Sequence, residues 1–442
     1  MVKVVKLFDQ DFDQIKKECL ESGFLFQDSK FPNFSKKYPE CEIKRPGELC
    51  DDPHFFLNKI SRLDVQQGAL GDCWMISAIA NLTQHPKLFE RVVPLDQHYG
   101  SDYAGIFRFR FWQYGKWVEV VVDDQLLVEK GELKFARSTK EGEFWIPLLE
   151  KAYAKLYGAY DKLDGGDPGI AMEDFTGGVA EQFKLDKPPT SLFDIMNKAH
   201  VRGSLIASCI YGDGREAITR MGLVKGHAYS ITKVHYVEHS SLPERAKLIR
   251  VKNPWSNEIE WKGAWSDGSK EWTSIPKEER QELGLVFDND GEFWICYEDF
   301  QRNFSTADIC HLTLDSLSLF QDGDKRNWVI TTIHGSFKDK KSHVVTLADV
   351  DGKEDKKCTL VVALMQKTNS TDRLSFDSFI TCIIKDLANK EVLGTDPIIN
   401  TRETVQRHEL YPGKYEILPT IQGDAKEEYL LHIFTENPHH IE

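Results

Sequence analysis

The sequence predicts an α+β chain, with a mixed helix-and-strand core in front and an antiparallel β-sandwich behind. Three observations predict it. An apolar run of helical length, Trp74 to Leu82, carries no Gly or Pro until Pro86. Alternating stretches at 227–237 and 246–255 read as paired strands. Six further strand-like runs separated by turn signals fill the last part of the chain.

In chain order, residues 1–30 read as a short amphipathic helix and an extended lead-in. The Pro-, Lys- and Glu-rich stretch from Phe31 to Leu57 is expected on the surface. After the Trp74–Leu82 helix, GIFRFRFWQYGKWVEVVVDD (105–124) alternates on both sides of Tyr114-Gly115, a hairpin turn. EFWIPLLEKAYAKLYGAY (143–160) is helical, with Pro147 tolerable in the first turn. LDGGDPGIAMEDFTGG (163–178) reads as a glycine-rich loop region, and Pro188-Pro189 marks a boundary near 185. A linker near Leu314–Asp324 leads to WVITTIHGSF, HVVTLADV, TLVVALMQK, FITCIIKDL, KYEILPTI and EYLLHIFTE. The expected parts are therefore 1–30, 31–185, 186–315 and 316–442.

Composition narrows the function classes. A net charge of −14 argues against nucleic acid or an anionic membrane as the main partner. The N-terminus has no apolar signal-peptide region, and no run has the length of a transmembrane segment. The nine cysteines are odd in number, scattered and without CxxC, which fits a reducing cytoplasm rather than a disulfide framework or zinc site. A thiol there can stay free and reactive.

QQGALGDCWMISAIANL (66–82) puts Cys73 at the start of the predicted helix, where free N–H groups favour a negative sulfur. A lone Cys beside Trp and Met is ordinarily a core residue. Downstream residues change that reading. His227 opens one strand in KGHAYSI, and Asn253 ends the next in VKNPW. Two antiparallel strands can place them side by side, so that the carboxamide holds the imidazole tautomer. The order and spacing resemble the papain pattern of Cys in front with His and Asn on a later β-region. Gln67 can donate to an oxyanion together with the Cys73 backbone N–H. Singly, Gln67 could close a loop, His227 cap a strand and Asn253 form a turn; jointly they point to nucleophilic catalysis.

QGALGDCW, GHAYSIT and NPW, with FWIPLLEKAYAKL and DFTGG between them, resemble the calpains, calcium-dependent cytosolic cysteine proteases. The resemblance is dense over residues 20–310 and thinner over 316–442. It implies a papain-like core split into two halves, Cys73 and Gln67 on the first, His227 and Asn253 on the second. It also implies Trp255 as a movable wedge between the halves and a C2-like calpain domain III sandwich at the end. Two loops, Gly165–Met172 and IYGDGREAI (210–218), are expected to flank and gate the cleft.

Calcium takes six to eight oxygens from carboxylates and carbonyls, and the resemblance implies one Ca2+ site in each half. In the first, Asp64 and Glu150 match carboxylate ligands, and Leu57 and Lys59 match carbonyl donors, Lys59 standing where relatives often carry glycine. In the second, Glu260, Asp267, Asp290 and Glu292 match, with the Asp288 carbonyl. NPWSNEIEW is one residue longer than the family's usual loop and replaces its glycine with Ser256-Asn257. DNDGE is not an EF-hand, because its glycine is at the fourth position. Arg62 matches the arginine that bridges to the second-half acid, here Glu292. Ions binding only the closed arrangement would shift a two-state population, which takes about 5 kcal/mol of differential binding.

The expected function is a calcium-activated cytosolic cysteine endopeptidase acting on protein substrates by limited proteolysis, without nucleic acid. Relatives continue into a penta-EF-hand or C2 domain; neither motif follows here, so no small EF-hand subunit is expected. The alternatives are a catalytically idle calcium-dependent scaffold and a papain-fold acyl transferase.

Overall fold

The computed structural model describes residues 4–32, 34–213, 216–238, 245–313, 328–348, 356–367, 376, 378–393, 401–422 and 428–441. The chain forms two compact units, Met1–Trp112 with Lys116–Leu312, and Gln113–Gly115 with Thr313–Glu442. The division falls just before the expected boundary at 315/316, and the expected linker at 314–324 lies outside the described residues. Both halves of the core belong to the first unit.

A six-stranded antiparallel sheet organises the second half of the core. Its order is Glu292–Cys296, Ala246–Lys252, His227–Val237, Leu205–Ile210, Thr306–His311, Val179–Lys184. Ser230 pairs with Lys252, so the antiparallel register brings the start of one strand, His227, to the end of its neighbour at Asn253. Leu192–Val201 packs on this sheet with Ile206, Tyr229, Ile249, Val251, Phe293 and Ile309 in its core.

The Cys73–Leu82 helix is buried along its whole length and lies against the His227–Val237 strand. Ser230 Oγ donates to Ser77 O at 2.8 Å and Asn81 Nδ2 to Ile206 O at 2.6 Å, fixing the helix to the sheet. The predicted hairpin forms from Ile106–Gln113 and Lys116–Asp123, with Tyr114 and Gly115 both at positive φ, as a primed two-residue turn requires. Val4–Lys6 adds to it as a parallel strand, which the reading of residues 1–30 did not foresee. The helix expected there is Phe12–Ser22, capped by Asp11 and ended by Gly23 in the left-handed region.

One expectation is corrected. Residues 163–178 are not merely a loop: Pro168–Thr176 is a helix. Asp167 caps it by accepting from Gly169 N at 2.8 Å, Pro168 occupies its first turn, and Gly177 terminates it. The Gly, Pro and Asp read as loop punctuation are helix start and stop signals.

The second unit is a sandwich of two antiparallel four-stranded sheets. One orders Val329–Ser336, Glu428–Thr435, Cys358–Gln366 and Glu403–Leu410; the other orders Phe379–Asp386, Gly413–Gln422, His343–Leu347 and His439–Ile441. Leu360, Val362, Leu364, Ile380, Ile384, Ile417, Leu431 and Ile433 meet between them. Glu403–Leu410 was not anticipated because its buried face includes Thr404 and Gln406; Gln406 Nε2 donates to Thr381 Oγ1 and Cys382 O, each at 3.0 Å.

The Trp145–Tyr157 helix buries three charged residues, Glu150, Lys151 and Lys155. Lys155 Nζ donates to Asp28 Oδ2 at 2.6 Å, Gln10 Oε1 at 2.5 Å and Val121 O at 2.6 Å, so one ammonium ties the N-terminal lead-in to the core. Burial lowers its pKa. Lys155→Met leaves Asp28 buried without its counterion and is expected to cost about 3–5 kcal/mol, read from the denaturant midpoint.

Candidate active site

His227 is fully buried and held at both ring nitrogens. Nε2 lies 2.9 Å from Asn253 Oδ1, and Nδ1 lies 2.7 Å from Glu216 Oε1. Cys73 Sγ, a Glu216 carboxylate oxygen and a ring nitrogen of His227 all lie within 4.8 Å of one another. Burial works against charge on His227, but the hydrogen bonds to Cys73 and Glu216 outweigh it and hold its pKa up at about 9. At neutral pH the ring is an imidazolium facing sulfur on one side and a carboxamide oxygen on the other. The Glu216 carboxylate was not foreseen as part of this group; it falls in the 210–218 stretch, of which 214 and 215 are outside the described residues.

Asn253 cannot turn. Its Oδ1 also accepts from Trp255 N at 3.0 Å, and its Nδ2 donates to Ile259 O at 3.0 Å. The Trp255 ring lies 5.1 Å from the His227 ring, shielding one side of the imidazole. In this arrangement the Trp255 ring packs on the histidine. Ser256 takes φ +49°, the conformation for which glycine is favoured, and its Oγ offsets the strain by donating to Val65 O at 2.8 Å and accepting from Lys252 Nζ at 2.6 Å.

The first half meets this group along a polar seam. Gln67 N donates to Pro254 O at 2.9 Å, and Gln66 Nε2 to Trp255 O at 3.1 Å. The Gln67 side chain donates to Leu70 O at 2.8 Å, while its Oε1 is buried without a protein partner. Arg62 spans the seam in a fork, Nε and Nη2 each 2.6 Å from the Glu292 carboxylate. Glu292 also accepts from Thr232 Oγ1 at 2.8 Å. Burial would raise its pKa, but the Arg62 hydrogen bond and the Arg250 charge hold it below the ordinary value.

Asp72, the residue before Cys73, and Glu150 form a second unforeseen feature. Both are fully buried. Burial pushes Asp72 up to about 7, and burial together with repulsion from Asp72 pushes Glu150 well up. Both Asp72 carboxylate oxygens are buried without a hydrogen-bond partner. Glu150, expected beside Asp64 as a cation ligand, is thus placed elsewhere: it accepts from Ala136 N at 3.1 Å and faces Asp72.

The carboxylate that does reach the first-half group is Glu143, one helical entry earlier in EFW. Its Oε1 accepts from Leu57 N at 2.7 Å and its Oε2 from Ser138 Oγ at 2.6 Å. Leu57 O, Lys59 O and Asp64 Oδ2 do converge on one point, as expected, but the Lys140 ammonium stands there. Its Nζ lies 3.0, 2.9 and 2.7 Å from them, with Glu143 Oε1 at 3.9 Å. This set does not fit a free divalent ion.

The second-half set fits one. Asp267 is half-buried, and both of its carboxylate oxygens are buried without a protein partner. Burial, then repulsion from Glu260, Asp290, Glu292 and Asp288, pushes Asp267 up to about 7. Glu260 is pushed to about 7 by burial and by Asp290, although it accepts from Gly291 N at 2.7 Å. Like charges this close, with unused oxygens, are relieved by a cation.

Residues 9–311 match the family described as calpain family cysteine protease, and residues 332–434 match calpain large subunit, domain III. The chain belongs to the calpain family. It is 42% identical over 482 residues to Calpain-A of Drosophila melanogaster, covering 98% of this chain and 58% of that protein. It is 38% identical over 489 residues to the Calpain-2 catalytic subunit of Homo sapiens, covering 98% and 69% respectively. Against the two fly calpains the chain spans little more than half of their length.

The raised pKa values of Asp72 and Glu150 set a pH dependence. Because the folded pKa values exceed the unfolded ones, the native state binds more protons from pH about 4 up through about 7, and stability falls across that window. Glu150→Gln supplies an amide donor to Asp72 without needing a bound proton. Thermal melts at pH 5 and pH 8 should show the variant gaining on the parent at pH 8 by on the order of 1–2 kcal/mol, and not at pH 5.

Proposed function

We propose that this chain is a calcium-gated cytosolic cysteine endopeptidase that cuts protein substrates. The observation supporting it most is His227, placed between Asn253 and Cys73 by elements from both halves. With the proton on His227, the Cys73 sulfur is the thiolate that attacks the scissile carbonyl carbon. The Cys73 N–H and the Gln67 amide are the donors offered to the oxyanion. His227 then gives its proton to the leaving amine as the C–N bond breaks, leaving a thioester. Water attacks the thioester, His227 takes one of its protons, the C–S bond breaks with its electron pair returning to sulfur, and the acid product leaves. Asn253 keeps the ring oriented through both steps. Calcium bound among Glu260, Asp267, Asp290 and Glu292 would supply the positive charge that this acid cluster lacks.

A second reading has one observation in its favour. Glu216 occupies His227 Nδ1 within the same group of side chains that holds the Cys73 sulfur, so His227 is capped by the chain itself. An idle calcium-binding scaffold would stay that way.

Cleavage of a casein-like protein separates the two readings. The parent chain should cleave only with calcium, and Cys73→Ala should lose activity by at least about a thousandfold. No cleavage by the parent with or without calcium supports the scaffold. Asp267→Ala should raise the calcium needed for half-maximal cleavage about tenfold, equal to about 1.4 kcal/mol. Glu216→Gln should bring the alkaline limb of the pH–rate profile down from about 9, because the carboxylate that helps keep His227 protonated is gone.

A further inference from the structure

In the first half of the core, the oxygens that the family resemblance assigns to a calcium ion surround a side chain of the protein itself. We propose that Lys140 is a tethered cation: its ammonium fills the first-half position, so this half is ordered without metal and calcium acts through the second half alone. The inference rests on the calcium-gated reading and narrows it to one ion.

The chemistry of the fit is specific. An ammonium has three N–H donors and no acceptor, and Lys140 Nζ spends one each on Leu57 O, Lys59 O and Asp64 Oδ2, at 3.0, 2.9 and 2.7 Å. These are N–H···O lengths, longer than the 2.3–2.6 Å of calcium–oxygen bonds. The backbone is shaped for a cation at this point. Asn58 takes φ +59°, between the two carbonyl donors. Asp64 is held by Ser61 N, which donates to its Oδ2 at 2.7 Å, and Leu63 N donates to Ser61 Oγ at 3.2 Å. Glu143 completes the negative surroundings, and its bond to Leu57 N anchors the same loop.

What the ammonium fixes bears on gating. The short helix Arg62–Asp64 carries Asp64 at one end and Arg62 at the other. Securing Asp64 and the 57–59 carbonyls sets the segment from which Arg62 reaches Glu292, beside the acid cluster of the second half. A divalent ion entering the first position would have to displace a covalently attached charge of the same sign. The second-half cluster has no such occupant, since the Asp267 oxygens lack protein partners.

Calcium titration by isothermal calorimetry, on the full chain carrying Cys73→Ser to prevent self-cleavage, tests this by counting ions. One ion per chain is expected, lost in Asp267→Ala and retained in Asp64→Asn. Lys140→Gln, which removes the charge, should raise the count to two. Two ions with Lys140 intact would overturn the tethered cation while leaving calcium gating in place. One ion that survives Asp267→Ala but not Asp64→Asn, or a count still at one in a folded Lys140→Gln chain, would also overturn it. No ion at all would overturn both this inference and the calcium-gated reading. Should Lys140→Gln fail to fold, the count on the unaltered Lys140 chain decides alone.

Discussion

The ion pair between Arg62 and Glu292, residues 230 apart in sequence, joins the two halves of the core. A planar guanidinium meets a carboxylate in a two-point fork, which fixes orientation as well as distance. Around it the second half adds Thr232 and Arg250, the latter with Nε 3.4 Å from the same carboxylate. With this pair made, the seam from Gln66 and Gln67 to Pro254 and Trp255 is in register. Cys73, fixed to Ile206 and Ser230 through its own helix, then sits against His227. The meeting of Cys73 with His227 is thus a property of the interface between the halves, with no element supplying it alone.

Several lysines of this core are answered by carboxylates: Lys151 meets Asp123, Lys155 meets Asp28, and Lys140 meets Asp64 with two carbonyls. At the group formed by Glu260, Asp267 and Asp290, no cationic side chain reaches the Asp267 oxygens among the described residues. Lys252 acts on Glu260 and Asp290, but its Nζ donates to the Asp290 carbonyl at 2.8 Å and to Ser256. That contrast, one acid group satisfied internally and one left open, separates the two half-sites on physical grounds.

Much of this was legible in the sequence because it follows from local pattern. Alternation in HAYSITKVHYV and AKLIRVK gave the strand pair, and the pair gave the proximity of His227 to Asn253. The apolar run gave the buried Cys73 helix. What escaped depended on side-chain reach. Lys140 lies 76 residues from Asp64 and 83 from Leu57, so nothing in STKEGEF announces where its ammonium ends. Glu143 and Glu150 stand two turns apart on either side of the same helix start, and spacing alone does not say which one turns toward the 57–64 segment. Glu216 sits in a stretch whose glycines suggested motion, and its contact with His227 requires the fold. Glu403–Leu410 failed because a strand whose inward face is Thr and Gln has no hydrophobic alternation to detect.

The segment after Asn253 runs within a few positions of the imidazole, and the amide it follows is clamped from both directions. Trp255 N closes a short ring onto Oδ1, and Nδ2 reaches forward to Ile259. Between those anchor points Ser256 and Asn257 are half-buried, and Ser256 Oγ is tied to Val65 O and Lys252 Nζ, so the stretch is pinned at its middle as well as at its ends. The placing of this carboxamide therefore draws on backbone from both halves of the core.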